Sequence, residues 1–269
     1  MGWENKRKNS RRGPGLKIIV LKKRRVVITA VCLIVVGVAT IMASMSVRPE
    51  RPKQLEQPEQ PVLSYALAGR VIAVDAGHGG IDPGASRYGY EEKDITLAIS
   101  KKLVRYLEQA GAQVINLRTG DGDLCGSDFK GTIRERKRKD LALRVEKAKN
   151  AKADLYISIH TNADVSPRWS GAQTFYKAGQ EESERTAVAI QDELIRVLGN
   201  NKREAKTGSY YILDKAPMPI VIVEVGFLSN PREAKLLVSN DYQDKVAYAI
   251  FSGIIKSYLP EEKNSSKLK

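Results

Sequence analysis

Residues 70–84 read RVIAVDAGHGGIDPG. Val71, Ile72 and Val74 form a nearly continuous apolar run that stops at a glycine-rich turn, the pattern of a buried strand. Beyond it, short β-branched runs alternate with helical ones. Asp94 to Ala110 repeats Ile95, Ala98, Ile99, Leu103, Tyr106 and Leu107 at intervals of three and four, with Asp94 as its cap and Gly111 as its stop. AQVINL (112–117) predicts a second strand, Ala142 to Ala151 a helix and DLYISIH (154–160) a third strand. AQTFYK (172–177) reads as an edge strand, Glu182 to Leu198 as a helix, and SYYIL (209–213) and PIVIVEV (219–225) as further strands. Asn230, Pro231 and Glu233 supply a cap, a first-position proline and an N3 acid for a short helix. Val246, Ala249, Ile250, Gly253 and Ile254 stripe the last one. This alternation predicts an α/β domain over residues 70–260, three layers (α/β/α) around a mostly parallel or mixed central sheet. Residues 121–140, DGDLCGSDFKGTIRERKRKD, are polar and charged and read as a surface excursion.

Upstream, residues 26–47 run VVITAVCLIVVGVATIMASMSV without a charge, long enough at 1.5 Å per residue to cross a hydrocarbon core of about 30 Å as one transmembrane helix. Lys22, Lys23, Arg24 and Arg25 keep the basic tail 1–25 cytoplasmic and place everything after Val47 outside the membrane. The reading is a retained membrane anchor; a cleaved signal segment, the alternative, usually has a shorter apolar region of about 7 to 15 residues. Residues 48–69, with Pro49, Pro52, Pro58 and Pro61 among charged residues and glutamines, form an extended spacer. Residues 261–269 are a polar tail. The formal charge of +14 suggests nucleic acid, but the first 25 residues hold ten Lys and Arg against Glu4 alone. A basic cluster before an apolar span sets topology, so nucleic acid is not an expected partner. Two cysteines, one of them inside the apolar run, exclude a disulfide scaffold.

The chemistry concentrates where strands end, because ligand-binding loops in such sheets collect at the carboxyl ends. His78 follows the first strand, and His160 ends the third. They are the chain's two histidines, so a catalytic zinc site with three protein ligands needs a carboxylate as well. Glu91 and Glu92 precede the first helix, and Glu224 ends an apolar strand where an unpaired carboxylate is costly to bury. Spacing alone does not choose between Glu91 and Glu92. Gly77 to Asp82 fails G-x-G-x-x-G at its last position and lacks a following helix, which argues against a nucleotide site. Asp75 and Asn162 stay outside the predicted site. Trp169 and Tyr176 read as edge-strand packing, Cys125 as a surface thiol, and Arg134, Arg136 and Arg138 as a solvated charge run.

Four strings in order, VDAGHGGIDPGA, EEKDITLAIS, LYISIHTNAD and VEVGFLSNP, resemble the zinc-dependent N-acetylmuramoyl-L-alanine amidases of bacterial cell-wall turnover. The resemblance runs from about Val71 to Tyr258. It implies that His78, Glu92 and His160 bind zinc, Glu92 because it directly precedes Lys93, and that Glu224 is the catalytic carboxylate. Its substrate would be peptidoglycan, cut between the lactyl group of N-acetylmuramic acid and L-alanine. RWSGAQTFY, the single apolar segment and the lack of an appended wall-binding domain look most like the germination-specific amidases of spore formers, which act on spore cortex between the forespore membranes. The rival readings are a vegetative wall amidase and a membrane-anchored protein that binds peptidoglycan or a partner without cutting. A protein activator is compatible with the enzyme reading.

Overall fold

The computed structural model describes residues 33–34, 36–38, 65–199 and 202–259. The basic tail, the polar tail and most of the expected membrane span lie outside the described residues; within that span Leu33, Ile34 and Val36 to Val38 are helical. Among the described residues, no helix is long and apolar enough to cross a membrane. Residues 1–60 form one contact unit and residues 61–269 another; the second carries the fold described here.

Its order is β1 (Val71–Ala76), β2 (Ser86–Arg87), β3 (Tyr90–Glu91), α1 (Glu92–Gln109), β4 (Gln113–Asn116), α2 (Ile133–Asn150), β5 (Leu155–Asn162) and β6 (Gln173–Tyr176). There follow α3 (Glu181–Leu198), β7 (Lys206–Thr207), α4 (Tyr211–Lys215), β8 (Ile220–Phe227), α5 (Pro231–Leu237) and α6 (Asn240–Tyr258). Six strands make one mixed sheet in the order β4-β1-β5-β8-β6-β7, with β2 and β3 as a separate ribbon. The β4, β1, β5 and β8 pairings are parallel, whereas β6 runs antiparallel to β8.

Successive strand residues point to opposite faces, and the core divides accordingly. Ile72, Val74, Ile157, Ile159, Val221 and Val223 pack against α1, α3 and α6 on one face. Ala73, Tyr156, Ile220 and Ile222 pack against α2 and α4 on the other. The expected three layers are therefore present. The loop after β1 turns toward β4 while that after β5 leads toward β6, so a crevice opens between the carboxyl ends of β1 and β5. Gly253 of α6 lets that helix lie directly on α3: a Cβ there would be 2.4 Å from Ile190 Cα.

Several elements differ from their sequence readings. The first helix starts at Glu92, so Asp94 lies in its first turn and is not its cap. The excursion at 121–140 is helical in its second half, because Thr132 and Glu135 form a reciprocal capping box that opens α2 at Ile133. SYYIL is not a strand: Tyr211 to Lys215 form the one-turn helix α4, with the adjacent Ile212 and Leu213 both buried. A short apolar run carries no period that separates the two states. AQTFYK supplies a strand, but the two-residue β7 takes the edge beside it. Leu67, assigned above to the spacer, is fully buried, and its N–H donates to Ala110 at 2.9 Å. Asn230 caps α5 as expected, accepting from the N–H groups of Arg232 and Glu233.

Candidate metal centre and active site

Three elements converge at the crevice. His78 stands in the left-handed region (φ 65°) on the loop after β1. Glu92 is the first residue of α1, and His160 lies near the end of β5. Glu92 Oε1 is 3.2 Å from His78 Nε2 and 3.1 Å from His160 Nδ1. The three side chains offer ligand atoms that all lie within 4.8 Å of one another. The carboxylate is held from behind, accepting from Thr161 N at 2.8 Å on Oε1 and from Ala85 N at 2.8 Å on Oε2. Gly84 makes room for this packing: it sits at φ +67°, and a Cβ there would lie 2.5 Å from Glu92 Oε2 and 2.6 Å from His78 Cδ2.

The loop that carries His78 is clamped by two buried arginines. Arg144 donates to the carbonyls of Ala76 at 2.7 Å and His78 at 2.6 Å, and pairs with Asp75 at 2.6 Å and Asp140 at 2.8 Å. Tyr156 and Ser158 donate to the other Asp75 oxygen. Arg118 donates to the carbonyls of Ala76, Gly77, Gly120 and Lys93. A left-handed conformation costs a non-glycine residue roughly 1–2 kcal/mol, and these carbonyl contacts hold the loop in it.

The donor set fits a divalent cation. Both nitrogens of His78 face carboxylates, Nδ1 at 2.9 Å from Asp82 Oδ2 and Nε2 toward Glu92. A neutral imidazole has one N–H and cannot satisfy both. Burial depresses the His78 pKa, but hydrogen bonds to Asp82 and Glu92 outweigh it and raise the value to about 9. Asp82 and Glu92 are held well below the usual carboxylate range: burial opposes this, and hydrogen bonds to the histidines overcome it, with Lys137 adding to the effect on Asp82. A proton on His78 Nε2 thus stands where a metal cation would satisfy the same carboxylate and leave Nδ1–H on Asp82.

Glu224 lies beside this cluster, paired in register with His160 across β5 and β8. Its Oε2 is buried with no hydrogen-bond partner. Burial pushes its pKa up to about 7, with His160 acting against the rise and Glu92 with it. A cavity of about 420 Å³ adjoins the group, lined also by Tyr210, Tyr211 and Ile212 and by Lys137 and Asp82.

The structure therefore brings together His78, Glu92, His160 and Glu224. Glu91 stays outside, half-exposed and 3.5 Å from Lys93. Cys125 is not a plain surface thiol, since it is partly buried with Sγ 3.3 Å from the Arg136 carbonyl. Arg136 is not simply solvated either: it pairs with Asp123 at 2.7 Å. Tyr176 packs inward and its hydroxyl donates to Glu184, whereas Trp169 is exposed. Asp82, Lys137 and Arg144 escaped the sequence reading. Asp82 had a local signal, four residues after His78 in a proline–glycine turn; Arg144 reaches the site from 66 residues away in sequence.

The family described as N-acetylmuramoyl-L-alanine amidase matches residues 72–256. Over 196 residues the chain is 46% identical to the germination-specific N-acetylmuramoyl-L-alanine amidase of Bacillus subtilis, covering 72% of this chain and 82% of that one. It is 34% identical over 198 residues to the N-acetylmuramoyl-L-alanine amidase LytC of the same organism, covering 73% of this chain and 37% of the relative. A solved structure of the CwlD amidase from Clostridioides difficile, in complex with the GerS lipoprotein, superposes with a TM-score of 0.68 at 42% identity, covering 70% of this chain and 98% of that one. The match spans every element that carries the His78, Glu92, His160 and Glu224 cluster, and the chain belongs to the N-acetylmuramoyl-L-alanine amidase family.

Proposed function

We propose that this protein hydrolyses the amide between the lactyl carbonyl of N-acetylmuramic acid and L-alanine in peptidoglycan, with His78, Glu92 and His160 holding zinc and Glu224 as the general acid–base. The observation that carries this reading is the unpartnered Oε2 of Glu224, buried beside three ligand-type side chains. Zinc held there would supply Lewis acidity, acidifying water and polarising a carbonyl oxygen. The chain's own residues do the rest. Asp82 and the Glu92 hydrogen bonds orient the ligands, and α4 shields the cavity from bulk water. Glu224 accepts a proton from the attacking water at Oε2 and returns it to the departing amine as the C–N bond breaks. A buried carboxyl with no fixed hydrogen-bond partner on Oε2 is free to take up and release that proton, and such catalysis contributes typically about 10² to 10⁴ in rate.

The relatives and the sequence support a setting for this reaction. Likeness to a germination-specific amidase supports a role in maturing spore cortex. The apolar segment 26–47, with its basic flank, supports a domain held or released outside the cytoplasmic membrane, in a spore former between the forespore membranes. The relative solved with a lipoprotein supports a protein partner as activator.

Elemental analysis of the purified chain from Leu63 onward tests the centre: one zinc per chain is expected, lost in His78→Ala and in His160→Ala. Zinc retained in both variants would overturn the ligand set. Release of peptides with a new free α-amino group on L-alanine from purified peptidoglycan, abolished by chelator, tests the reaction. Protease added to intact protoplasts should remove the domain, and protection until lysis would mean the opposite orientation.

A further inference from the structure

A second concavity lies beside the first on the same face of the sheet. His160 pairs with Glu224, Glu224 pairs with Gln173, and Gln173 Nε2 donates to the Glu204 carbonyl at 2.9 Å. Neighbouring strands are about 4.8 Å apart, so along the sheet order β8-β6-β7 Gln173 of β6 stands roughly 5 Å and β7 roughly 10 Å from Glu224.

Past Gln173 opens a groove of about 520 Å³ lined by Arg168, Trp169, Lys202, Arg203, Glu204 and Lys206 among others. Four basic residues and one acidic residue thus line it. Arg203 is fixed as part of the floor: Nε donates to Ser170 O at 2.7 Å, Nη1 to Gln173 Oε1 at 3.0 Å, and its guanidinium lies 4.5 Å from the Phe227 ring and 5.8 Å from the Trp169 ring. Arg168, Lys202 and Lys206 are exposed and enter no ion pair among the described residues. Arg168 comes from the loop after β5, Lys202 from the segment before β7 and Lys206 from β7 itself, and all three line the groove beside an indole that is 53% exposed. Scattered surface lysines would need neither that grouping nor a built floor.

We propose that this groove binds carboxylates of the peptide stem just beyond the scissile amide, and so selects stems whose acidic residues are free. The inference rests on the amidase reading given above. In that substrate the lactyl carboxyl is consumed by the amide, so the acid charge near the cut belongs to the stem. An extended chain advances about 3.3–3.6 Å per residue. A carboxylate two or three residues past the cut therefore lies roughly 7 to 10 Å away, between the spacings of β6 and β7 from Glu224.

The test compares the full chain with its Arg168→Gln/Lys202→Gln/Lys206→Gln variant on two muropeptides of identical glycan, one with free and one with amidated acidic stem residues. These three residues lie outside the catalytic cluster, so turnover should persist. Exposed ion pairs contribute factors of only about 1.4 to 5 each, so KM on the free stem should rise about tenfold in the triple variant. Its kcat should stay within about twofold, and both constants on the amidated stem should not change. An equal rise in KM on both stems, or none on either, overturns the groove assignment while leaving the amidase reading intact. If the wild-type chain cleaves neither muropeptide, with zinc bound, the amidase reading falls and the groove assignment falls with it.

Discussion

Glu224 and His160 face each other in register across β5 and β8, yet their polar atoms fare differently. His160 Nδ1 is held by Glu92 at 3.1 Å, whereas Glu224 Oε2 is buried with no partner. Buried polar atoms are nearly always satisfied. On the proposed mechanism such a carboxylate is free to exchange a proton; in the metal-free protein burial raises its pKa to about 7.

Glu224→Gln should keep the fold and the metal but lose at least about 10² in kcat, the lower end of a general acid–base contribution. The same variant has a stability signature. In the metal-free protein the folded pKa of about 7 exceeds the ordinary 4.5, so the native state binds more protons between those values and stability falls as pH rises through that window. Glutamine removes this cost. The variant should gain relative to wild type from about pH 4.5 upward and level off above about pH 7, by an amount on the order of 3 kcal/mol. Urea midpoints of the two chelator-treated proteins at low and high pH check this, and a constant difference would contradict the burial account.

Asp82→Asn leaves all three proposed ligand side chains in place. It removes the anion that holds Nδ1–H of His78, and loss of such a supporting partner typically weakens metal binding by about 10- to 100-fold. Competition with a zinc chelator should show that drop, and the metal-free protein should also melt lower near neutral pH, because Asp82 there holds both His78 and Lys137.

Arg144→Met removes the cation between Asp75 and Asp140 and leaves Asp75 buried and unpaired. Breaking one side of a buried pair costs about 3–5 kcal/mol, so denaturant unfolding should show a loss of that size. The Asp75→Asn/Arg144→Met double variant should lose less than the sum of its singles, because the stranded charge is gone.

Two glycine variants should separate site from scaffold. Gly84→Ala forces a Cβ against Glu92 and His78 from a left-handed backbone, and should lower zinc stoichiometry and activity. Gly253→Ala drives a Cβ into the α3 backbone at Ile190, and should cost about 1–3 kcal/mol as overpacking does. Its folded fraction should still bind zinc normally. Equal loss of zinc in both would mean that the site responds to global stability alone.

The sequence by itself determined the layered α/β architecture, because buried strands and amphipathic helices write their periods locally: Val71 to Val74, the stripe from Ile95 to Leu107, and Ile220 to Val225 all fold as their patterns state. It also determined which groups are candidates for chemistry, since two histidines at strand exits and a carboxylate ending an apolar strand are local features. Which glutamate joins the histidines was not local; the helix start turns Glu92 inward and leaves Glu91 outside. Nor was α4, whose five residues carry no legible period, or the helical half of 121–140, where α2 buries Asp140 and Arg144 in place of an apolar stripe. Those features exist because of partners distant in the chain, Arg144 for Asp75 and the His78 carbonyl, and Thr161 for Glu92. Only tertiary structure could place an arginine 66 residues downstream under the loop that carries His78, since a buried charge is tolerated where its partners arrive and nowhere else.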